Sequence, residues 1–295
     1  MARLWFVTGA GRGLGRAFVE AALAHGDTVV ATVRRDDALD DVAARFPALH
    51  RRRLDVADHA TVRSVVDEVA ASIGIPDIVV NNAGYGLVGA VEELGEAEIR
   101  AQFDVNLFGA LWVTQAVLPH LRRRGSGRIV QVSTVGAVGH LPLFGAYNAT
   151  KWALEGLSAA LADEVRPHGI GVHLLQLGGF ATDWAGASMR FATADPAYAQ
   201  TRAAILGQPD YPTPEQVAAA VEQPVEDAGE WAEAPPSVAA EALLTLLDQP
   251  DPPLRTVIGN GAHDMVRIAL EGRRDDYLKD PAFTWPGPPA TPARH

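Results

Sequence analysis

A tyrosine and a lysine four residues apart form the pair of side chains best suited to acid–base chemistry. Tyr147 and Lys151 enclose Asn148-Ala149-Thr150, and on a helix this spacing places both side chains on one face, one turn apart. A phenol has a pKa of about 10, so it exchanges protons poorly near neutral pH unless an ammonium favours the phenolate. Lys151 is one of only two lysines in the chain. We therefore expect Tyr147 to act as an acid–base, with Lys151 lowering its pKa and hydrogen-bonding a ribose.

A glycine-rich turn near the N-terminus is suited to binding a nucleotide. The segment 8–15, Thr-Gly-Ala-Gly-Arg-Gly-Leu-Gly, follows an apolar run and opens a helical pattern. Glycines let the backbone approach a pyrophosphate closely, and a helix N-terminus offers unpaired N–H groups to it. A purely structural turn is the alternative. The residues expected to bind the cofactor here are Gly9, Gly11, Arg12, Gly13, Leu14 and Gly15, although the Arg12 side chain could equally point to water.

The residues after the second apolar run favour NADP(H) over NAD(H). An NAD-binding protein usually has an acid about 20 residues past the glycines, where it binds the ribose 2′-hydroxyl. This chain has Val33 there, followed by Arg34 and Arg35. Guanidinium groups pair well with phosphate oxygens, and Val33 puts no carboxylate at the usual acid position to repel them. We expect Arg34 to bind the 2′-phosphate; the alternative is that both arginines are solvated charges at a strand end.

Further strand ends carry residues that could continue this groove. The acid and amides in these segments can hydrogen-bond an adenine ring, or can tie neighbouring strands together. We expect the cofactor to contact Asp55, Val56, Asn82, Ala83 and Gly84.

Alternation of strands and helices is needed to bring these segments together. Apolar runs predict strands at 4–7, 28–33, 50–54, 78–81, 128–132, 171–177 and 256–258. Helical patterns cover 16–24, 36–45, 62–72, 97–124 and 147–166. This order predicts a single doubly wound, Rossmann-type α/β domain of about seven parallel strands with helices on both faces. Ligands of such sheets bind beyond the carboxyl ends of the strands, where the strand order reverses.

The second half of the chain is less regular. We expect the domain to span 1–260, with 185–236 as a variable substrate lid or insertion, and 261–295 to be a C-terminal extension. No clear strand is predicted in 180–211. The acidic, proline-containing stretch 222–236 predicts an exposed loop or flap, and the proline-rich tail from Pro281 should be extended.

Composition excludes several classes of protein. The 295 residues are 48% hydrophobic and 21% charged, which is typical of a globular protein. A net charge of −11 argues against nucleic acid and anionic membranes as partners. The chain has no cysteine, and no His/Asp/Glu cluster has metal-ligand spacing, so no metal is expected. Without a long apolar segment, we expect a cytoplasmic protein.

Taken in order, the motifs resemble those of the short-chain dehydrogenase/reductase family. The resemblance rests on Thr8-Gly9-x-Gly11-x-Gly13-x-Gly15, Asn81-Asn82-Ala83-Gly84, Asn106 and Tyr147-x-x-x-Lys151, and it covers roughly residues 3–185 strongly and extends weakly to 260. The layout after the second strand resembles that of the NADP-preferring members, including hydroxysteroid dehydrogenase-like proteins.

The resemblance implies a role for each matching residue. Tyr147 would protonate a carbonyl oxygen as hydride arrives from the nicotinamide, and Lys151 would bind the nicotinamide ribose. Asn106 would hold a water behind Lys151. The family serine that hydrogen-bonds the substrate oxygen is replaced by Thr134, which keeps the hydroxyl and adds a methyl group. The preceding Ser133 should point to the other side of its strand.

A second departure lies in the loop that binds the nicotinamide. The family usually has Pro-Gly where this chain has Leu177-Gly178, and the resemblance assigns Gly179, Phe180 and Thr182 to cofactor binding. Losing the proline frees the backbone before the loop.

The pocket and the resemblance together suggest a reductase. The expected substrate pocket is largely apolar and consists of Tyr85, His140, Leu141, Phe144, Gln176, Phe180, Trp184 and Met189. We expect hydride transfer between NADP(H) and a bulky hydrophobic ketone or secondary alcohol, in a homodimer or homotetramer. One alternative is an isomerisation, dehydration or cyclisation on the same fold, and another is a nucleotide-sensing protein without turnover.

Overall fold

A seven-stranded parallel sheet forms the centre of the molecule, for which a computed structural model describes residues 2–182, 188–213, 215–216 and 233–285. Its strands are β1 (Leu4–Val7), β2 (Thr28–Val33), β3 (Leu49–Arg53), β4 (Ile78–Asn81), β6 (Gly127–Thr134), β7 (Ile170–Leu177) and β9 (Arg255–Ile258). The strand order is β3-β2-β1-β4-β6-β7-β9, so the doubly wound sheet is confirmed and its order reverses between β1 and β4.

Helices cover both faces of the sheet. They are α1 (Gly13–Ala24), α2 (Asp40–Ala43), α3 (His59–Ser72), α4 (Glu96–Phe103), α5 (Ala110–Arg124), α6 (Gly145–Val165), α7 (Ala199–Leu206), α8 (Pro236–Leu247) and α9 (Ala262–Tyr277). In β1, Trp5 and Val7 pack in the core with α1 and α8, while Phe6 packs in the opposite core with α3, α5 and α6. This alternation follows from the two-residue period of a strand.

Two helical predictions need correction. The segment 36–45 is helical only over Asp40–Ala43. The segment 97–124 is interrupted by a π-helical turn, Asp104–Gly109, between α4 and α5. At Gly109, a Cβ would lie 2.6 Å from Cγ2 of Val56, so a glycine lets the turn pack against the end of the third strand. Single π-turns within helices often occur at functional sites.

The segment 180–211 contains a short strand, contrary to the prediction. Strand β8 (Met189–Phe191) pairs in parallel with β5 (Gly86–Val88), which the sequence also did not reveal. Three residues are too few to display the alternation by which strands are recognised. The structure describes the predicted lid, 185–236, only in part: over 188–213, 215–216 and 233–236. The acidic residues of 222–232 lie outside the described part.

A buried ion pair fixes the described part of this segment. Glu93 and Arg202 form a salt bridge with side chains 0% and 1% exposed. Burial alone would raise the pKa of Glu93. The Tyr211 hydroxyl and the amides of Asp195 and Ala90 donate hydrogen bonds to the Glu93 carboxylate, and these bonds and the charge of Arg202 hold the pKa of Glu93 below its usual value. Residues 195–211 are therefore attached to the chain just before α4.

Helix α9 lies over the loop that follows β6. The Arg273 guanidinium stacks on the Trp152 ring at 4.2 Å, and the Trp152 indole donates hydrogen bonds to the carbonyls of Gly136 and Gly139, both at 3.2 Å. The tail is non-helical over 281–285, and 286–295 lie outside the described residues. In the described part of the chain, no helix is both long and apolar enough to cross a membrane.

Candidate active site

The glycine turn lies at the carboxyl end of β1, beside the point where the strand order reverses. Gly9 has a φ of +61°, and a Cβ at Gly15 would lie 2.3 Å from the carbonyl oxygen of Gly9, so both positions require glycine. Arg12 occupies the N-cap of α1, where acceptor side chains are the rule. Because a guanidinium cannot accept a hydrogen bond, the first amides of α1 remain suited to an external acceptor such as a phosphate oxygen. Leu14 packs its side chain against the core.

The segment after β4 braces this turn. The Asn82 side-chain amide donates to the carbonyls of Thr8 and Gly9 at 3.0 and 3.1 Å. The Thr8 hydroxyl accepts from the amides of Asn82 and Ala83 at 3.0 and 3.1 Å. In this structure, Asn82 and Ala83 therefore hold the glycine turn, and this local role is compatible with the predicted contacts to the cofactor.

The two arginines after β2 have different surroundings. Val33 lies beside the turn, since a Cβ at Gly11 would be 3.7 Å from Cγ1 of Val33. Arg35 is paired with Asp37, its Nη2 lying 2.5 Å from Oδ2. Arg34 is exposed and forms no ion pair within the described chain. Of the two, Arg34 is thus the one whose guanidinium can meet a 2′-phosphate without first breaking an ion pair.

At the end of β3, Asp55 and Val56 serve mainly local contacts. The exposed Asp55 carboxylate accepts a hydrogen bond from the Ala57 amide at 3.0 Å, and Val56 is 6% exposed against the π-turn.

Tyr147 and Thr134 come together from α6 and the end of β6. Tyr147 is 8% exposed. Burial raises the pKa of the Tyr147 phenol, and a hydrogen bond with the Thr134 hydroxyl opposes that rise. Thr134 also accepts from the Gly136 amide at 3.2 Å, which caps the turn after β6. Ser133 points to the other side as predicted, donating to Glu155 at 2.7 Å.

Lys151 lies one turn after Tyr147, fully buried. Its Nζ donates to the carbonyl of Val132 at 2.7 Å. Burial lowers the pKa of Lys151 to about 8, while the negative charge of Glu155 acts to raise it. The lowering of the Tyr147 pKa by Lys151 stays a prediction: the Lys151 ammonium is directed at the backbone of β6, and burial is the largest influence on the Tyr147 phenol.

Asn106 lies within the π-turn, 1% exposed, and faces the same centre. Its side chain accepts from the Tyr85 amide at 3.0 Å and donates to the Tyr85 carbonyl at 2.9 Å and to the Thr150 hydroxyl at 3.3 Å. A Cβ at Gly84 would lie 3.2 Å from Oδ1 of Asn106 and 3.7 Å from Nζ of Lys151. Gly84 therefore lets the two side chains approach the strand end.

The loop after β7 reaches back to the glycine turn. Cβ of Thr182 would lie 3.5 Å from a Cβ at Gly13, which places Thr182 where the cofactor is expected. The carbonyl of Gly179 accepts from the Ala234 amide at 3.1 Å. Phe180 is 7% exposed and packs in the core with Ile258, so its side chain does not line an open pocket.

The expected substrate pocket is only partly assembled. Phe144 and Met189 pack in one apolar cluster with Val88 and Leu143. Gln176 does not belong to it: its side chain donates to Glu155 at 3.0 Å inside the fold. Because β7 is buried on both faces, its side chains point alternately into the two cores of the sheet. The sequence alone does not show whether a given side chain of β7 packs in a core or lines a pocket. His140 and Leu141 are exposed, Tyr85 is half-buried beneath the Arg190 guanidinium at 4.8 Å, and Trp184 lies outside the described residues.

Glu155 is the residue of this region that the sequence analysis missed. It is 6% exposed and accepts hydrogen bonds from Ser133, Gln176 and Arg255. Glu155 could have been recognised from its position four residues after Lys151, because this spacing puts both side chains on one face of a helix. Among the described residues, no group of three or more His, Asp or Glu side chains could hold a metal ion.

Comparison with known proteins agrees with this geometry. The family model for short chain dehydrogenases matches residues 3–192. The chain belongs to the short-chain dehydrogenase/reductase family. Oxidoreductase BOA17 of Botryotinia fuckeliana is 37% identical over 273 residues, covering 92% of this chain and 94% of the relative. Human 17-beta-hydroxysteroid dehydrogenase type 1 is 40% identical over 131 residues, 44% of this chain and 39% of that protein. The expected resemblance to hydroxysteroid dehydrogenase-like members is thereby confirmed, and the chain is an oxidoreductase of this family.

Solved structures share the fold. A short-chain dehydrogenase from Streptomyces avermitilis superposes with a TM-score of 0.81 at 40% identity, covering 94% of this chain and 95% of that one. An alcohol dehydrogenase from Thermococcus sibiricus, complexed with 5-hydroxy-NADP, has a TM-score of 0.69 at 25% identity, covering 88% of this chain and 97% of the other.

Proposed function

We propose that this protein transfers hydride between NADP(H) and a bulky hydrophobic ketone or secondary alcohol. The observation that carries the proposal is the convergence of Tyr147, Thr134, Lys151 and Asn106 at the carboxyl end of the sheet, next to the glycine turn. A phenol can donate a proton to a carbonyl oxygen, a hydroxyl can hydrogen-bond that oxygen, and an ammonium can stabilise the negative charge that develops beside it.

Each side chain has a definite task in this reaction. NADPH, when bound, supplies the hydride. The Tyr147 hydroxyl gives its proton to the carbonyl oxygen, whose position the Thr134 hydroxyl fixes by a second hydrogen bond. Burial keeps the Tyr147 phenol protonated before hydride transfer, but a raised pKa also makes it a weaker acid, so proton donation depends on the positive charge of Lys151. Lys151 holds positive charge near the phenolate that remains, and the hydrogen bonds of Asn106 fix the backbone of Tyr85 beside it.

The choice of NADP(H) follows from the end of β2. Val33 lies beside the glycine turn, where NAD-binding proteins usually have an acid, and the next residue, Arg34, is exposed and can pair with a 2′-phosphate. The NADP-type ligand of the Thermococcus sibiricus neighbour supports this choice. Titrating the protein with NADPH and with NADH tests it, and tighter binding of NADH would reverse it.

A bulky hydrophobic substrate suits the apolar cluster beside the catalytic residues. Leu143 and Phe144 directly precede α6, which carries Tyr147, and they pack with Met189 of β8. The Glu93–Arg202 ion pair holds the chain beyond β8 against this cluster. We expect the pocket wall to be largely preformed on this side.

The test is the oxidation of NADPH by the purified protein with a panel of bulky aliphatic and aromatic ketones. Tyr147→Phe should lower kcat about 100-fold or more, the loss typical of removing a general acid, while NADPH binding measured by fluorescence stays unchanged. A Tyr147→Phe variant with full activity would contradict the proposal. Product formed without net NADPH consumption would instead support isomerisation, dehydration or cyclisation, and cofactor binding without turnover of any ketone would support a nucleotide sensor.

Two further predictions concern the whole protein. We propose a homodimer or homotetramer, in which α5 and α6 would lie at an interface; near the start of α5 the rings of Phe108 and Trp112 stack at 5.8 Å, and Phe108 is 38% exposed. Light scattering on the purified protein would refute this by giving the monomer mass of 31.3 kDa. The cytoplasmic location stays a prediction, for cell fractionation to test.

A further inference from the structure

A buried acid that the proposed reaction does not use lies one helical turn beyond Lys151. Glu155 accepts three hydrogen bonds: from the Ser133 hydroxyl at 2.7 Å, from the Gln176 amide at 3.0 Å and from Nε of Arg255 at 2.8 Å. Ser133 and Gln176 are register partners on β6 and β7. Glu155 therefore joins α6 to three strands of the sheet, since Arg255 belongs to β9.

These contacts place a fixed negative charge behind the catalytic ammonium. Lys151 and Glu155 are four residues apart on α6 and so share a face of the helix. The ammonium of Lys151 bonds the carbonyl of Val132, the residue directly before Ser133 on β6. The two charged side chains thus meet the same strand at neighbouring residues.

We propose that Glu155 is a positioning residue that keeps Lys151 protonated and directed at the end of β6 during the reaction. The proposal rests on the assignment of Lys151 to the active site made under the proposed function. It goes beyond the four residues Tyr147, Lys151, Thr134 and Asn106, because Glu155 acts only through Lys151.

Among the titratable and charged groups around Lys151, Glu155 is the one whose charge favours the protonated ammonium. On α6, Tyr147 is the other titratable side chain facing Lys151. The π-turn contributes the neutral Asn106, while its Asp104 is exposed. From β9, Arg255 reaches Glu155, not Lys151, and its side chain is 44% exposed. Burial disfavours the ammonium, and the charge of Glu155 acts in the opposite direction.

The presence of only two lysines allows a direct experiment. In protein labelled with carbon-13 at lysine Cε, Lys151 and the exposed Lys279 give two NMR signals, which Lys279→Arg assigns. The titration midpoint of Lys151 is then measured in the wild type and in Glu155→Gln. We expect Glu155→Gln to lower that midpoint by about one pH unit or more, as for loss of a nearby opposite charge. An unchanged midpoint would overturn the proposal.

Two variants separate electrostatics from structural damage. Arg255→Gln removes the cation that faces Glu155 and should move the midpoint of Lys151 upward, opposite to Glu155→Gln. Loosened packing would let water reach Lys151 and raise its midpoint, so an upward shift in Glu155→Gln as well as in Arg255→Gln would overturn the proposal. Glu164→Gln makes the same charge change at an exposed position of α6, and no shift is expected.

A kinetic measurement links the effect to the reaction. If a ketone substrate is found, the alkaline limb of the pH profile of kcat/KM should move down in Glu155→Gln by the amount measured by NMR. Because the NMR titration needs no substrate, the two proposals fail separately. An inactive protein with a shifted Lys151 midpoint refutes the reductase function alone, whereas an active protein with an unshifted midpoint refutes the role of Glu155 alone.

Discussion

Replacing Lys151 by methionine should make the protein inactive and, at the same time, change how its stability depends on pH. Burial lowers the pKa of Lys151 from its ordinary 10.5 to about 8. Below pH 8 the side chain is charged in both the folded and the unfolded chain, so the folded state bears the full cost of burying the charge. Between pH 8 and 10.5 the unfolded chain binds more protons than the folded one, and the free energy of unfolding therefore rises with pH.

The magnitude follows from the size of the shift. One pKa unit corresponds to about 1.4 kcal/mol, so the charged Lys151 costs about 3 kcal/mol at pH 6.5. The same relation gives a cost of about 1 kcal/mol at pH 9.5, because the folded state is then largely neutral. Methionine removes this cost and also the hydrogen bond to Val132, worth about 1 kcal/mol at any of these pH values. Only the first of these two effects depends on pH.

Urea unfolding of wild type and Lys151→Met at pH 6.5 and 9.5 measures the difference. The stability of the variant relative to wild type should fall by about 2 kcal/mol between the two pH values. Lys279→Met is the matched control, because Lys279 is 77% exposed and should give no such change. If the free energies of unfolding of wild type and Lys151→Met differ by the same amount at both pH values, the pKa of Lys151 is not lowered in the folded protein and the reasoning is refuted.

Three further changes test other parts of the structure. Thr134→Ser should keep most activity because it keeps the hydroxyl, whereas Thr134→Ala should lower kcat about 10-fold or more at unchanged NADPH affinity; equal activities in steady-state assays would contradict the hydroxyl's role. Arg34→Glu should weaken NADPH binding about 10-fold or more and leave NADH binding unchanged, while Arg35→Glu, whose native side chain is already paired with Asp37, should have a smaller effect in the same fluorescence titration. Glu93→Gln leaves the charge of Arg202 buried and should destabilise the fold by about 3–5 kcal/mol in urea unfolding; a loss below about 1 kcal/mol would show that the ion pair is not buried in solution.

The parts of the site that depend on nearby residues were predictable from the sequence. The glycine turn, Asn82-Ala83-Gly84 and the Tyr147–Lys151 pair each lie within eight consecutive residues, at a predicted strand end or on a predicted helix. In a parallel sheet the carboxyl ends of all strands lie on the same side of the sheet. Local patterns were therefore enough to predict that these groups converge.

Contacts between distant segments were not predictable in the same way. Gln176 lies on a strand that is apolar on both faces, so nothing local shows that it points to Glu155 and not to a pocket. The π-turn that orients Asn106 adds no visible change to the helical pattern of 97–124. The strand Met189–Phe191 exists because Gly86–Val88 is available to pair with it, although neither is long enough to be recognised alone.

The two departures from the family pattern occupy one place in the structure. Thr134 and Leu177 are 43 residues apart in sequence, yet they are register partners at the last pair of β6 and β7. Leu177 is 4% exposed, and the chain continues into a hydrogen bond from the Gly178 amide to the carbonyl of Ile258 at 2.9 Å. A proline at 177 could not donate to the ladder and would loosen the end of β7. With leucine there, the strand that carries Thr134 stays paired to its final residue. The strand end is thus paired at the position where the loss of proline alone predicted a freer backbone. The extra methyl group of threonine restricts the rotation of the hydroxyl at this same pair.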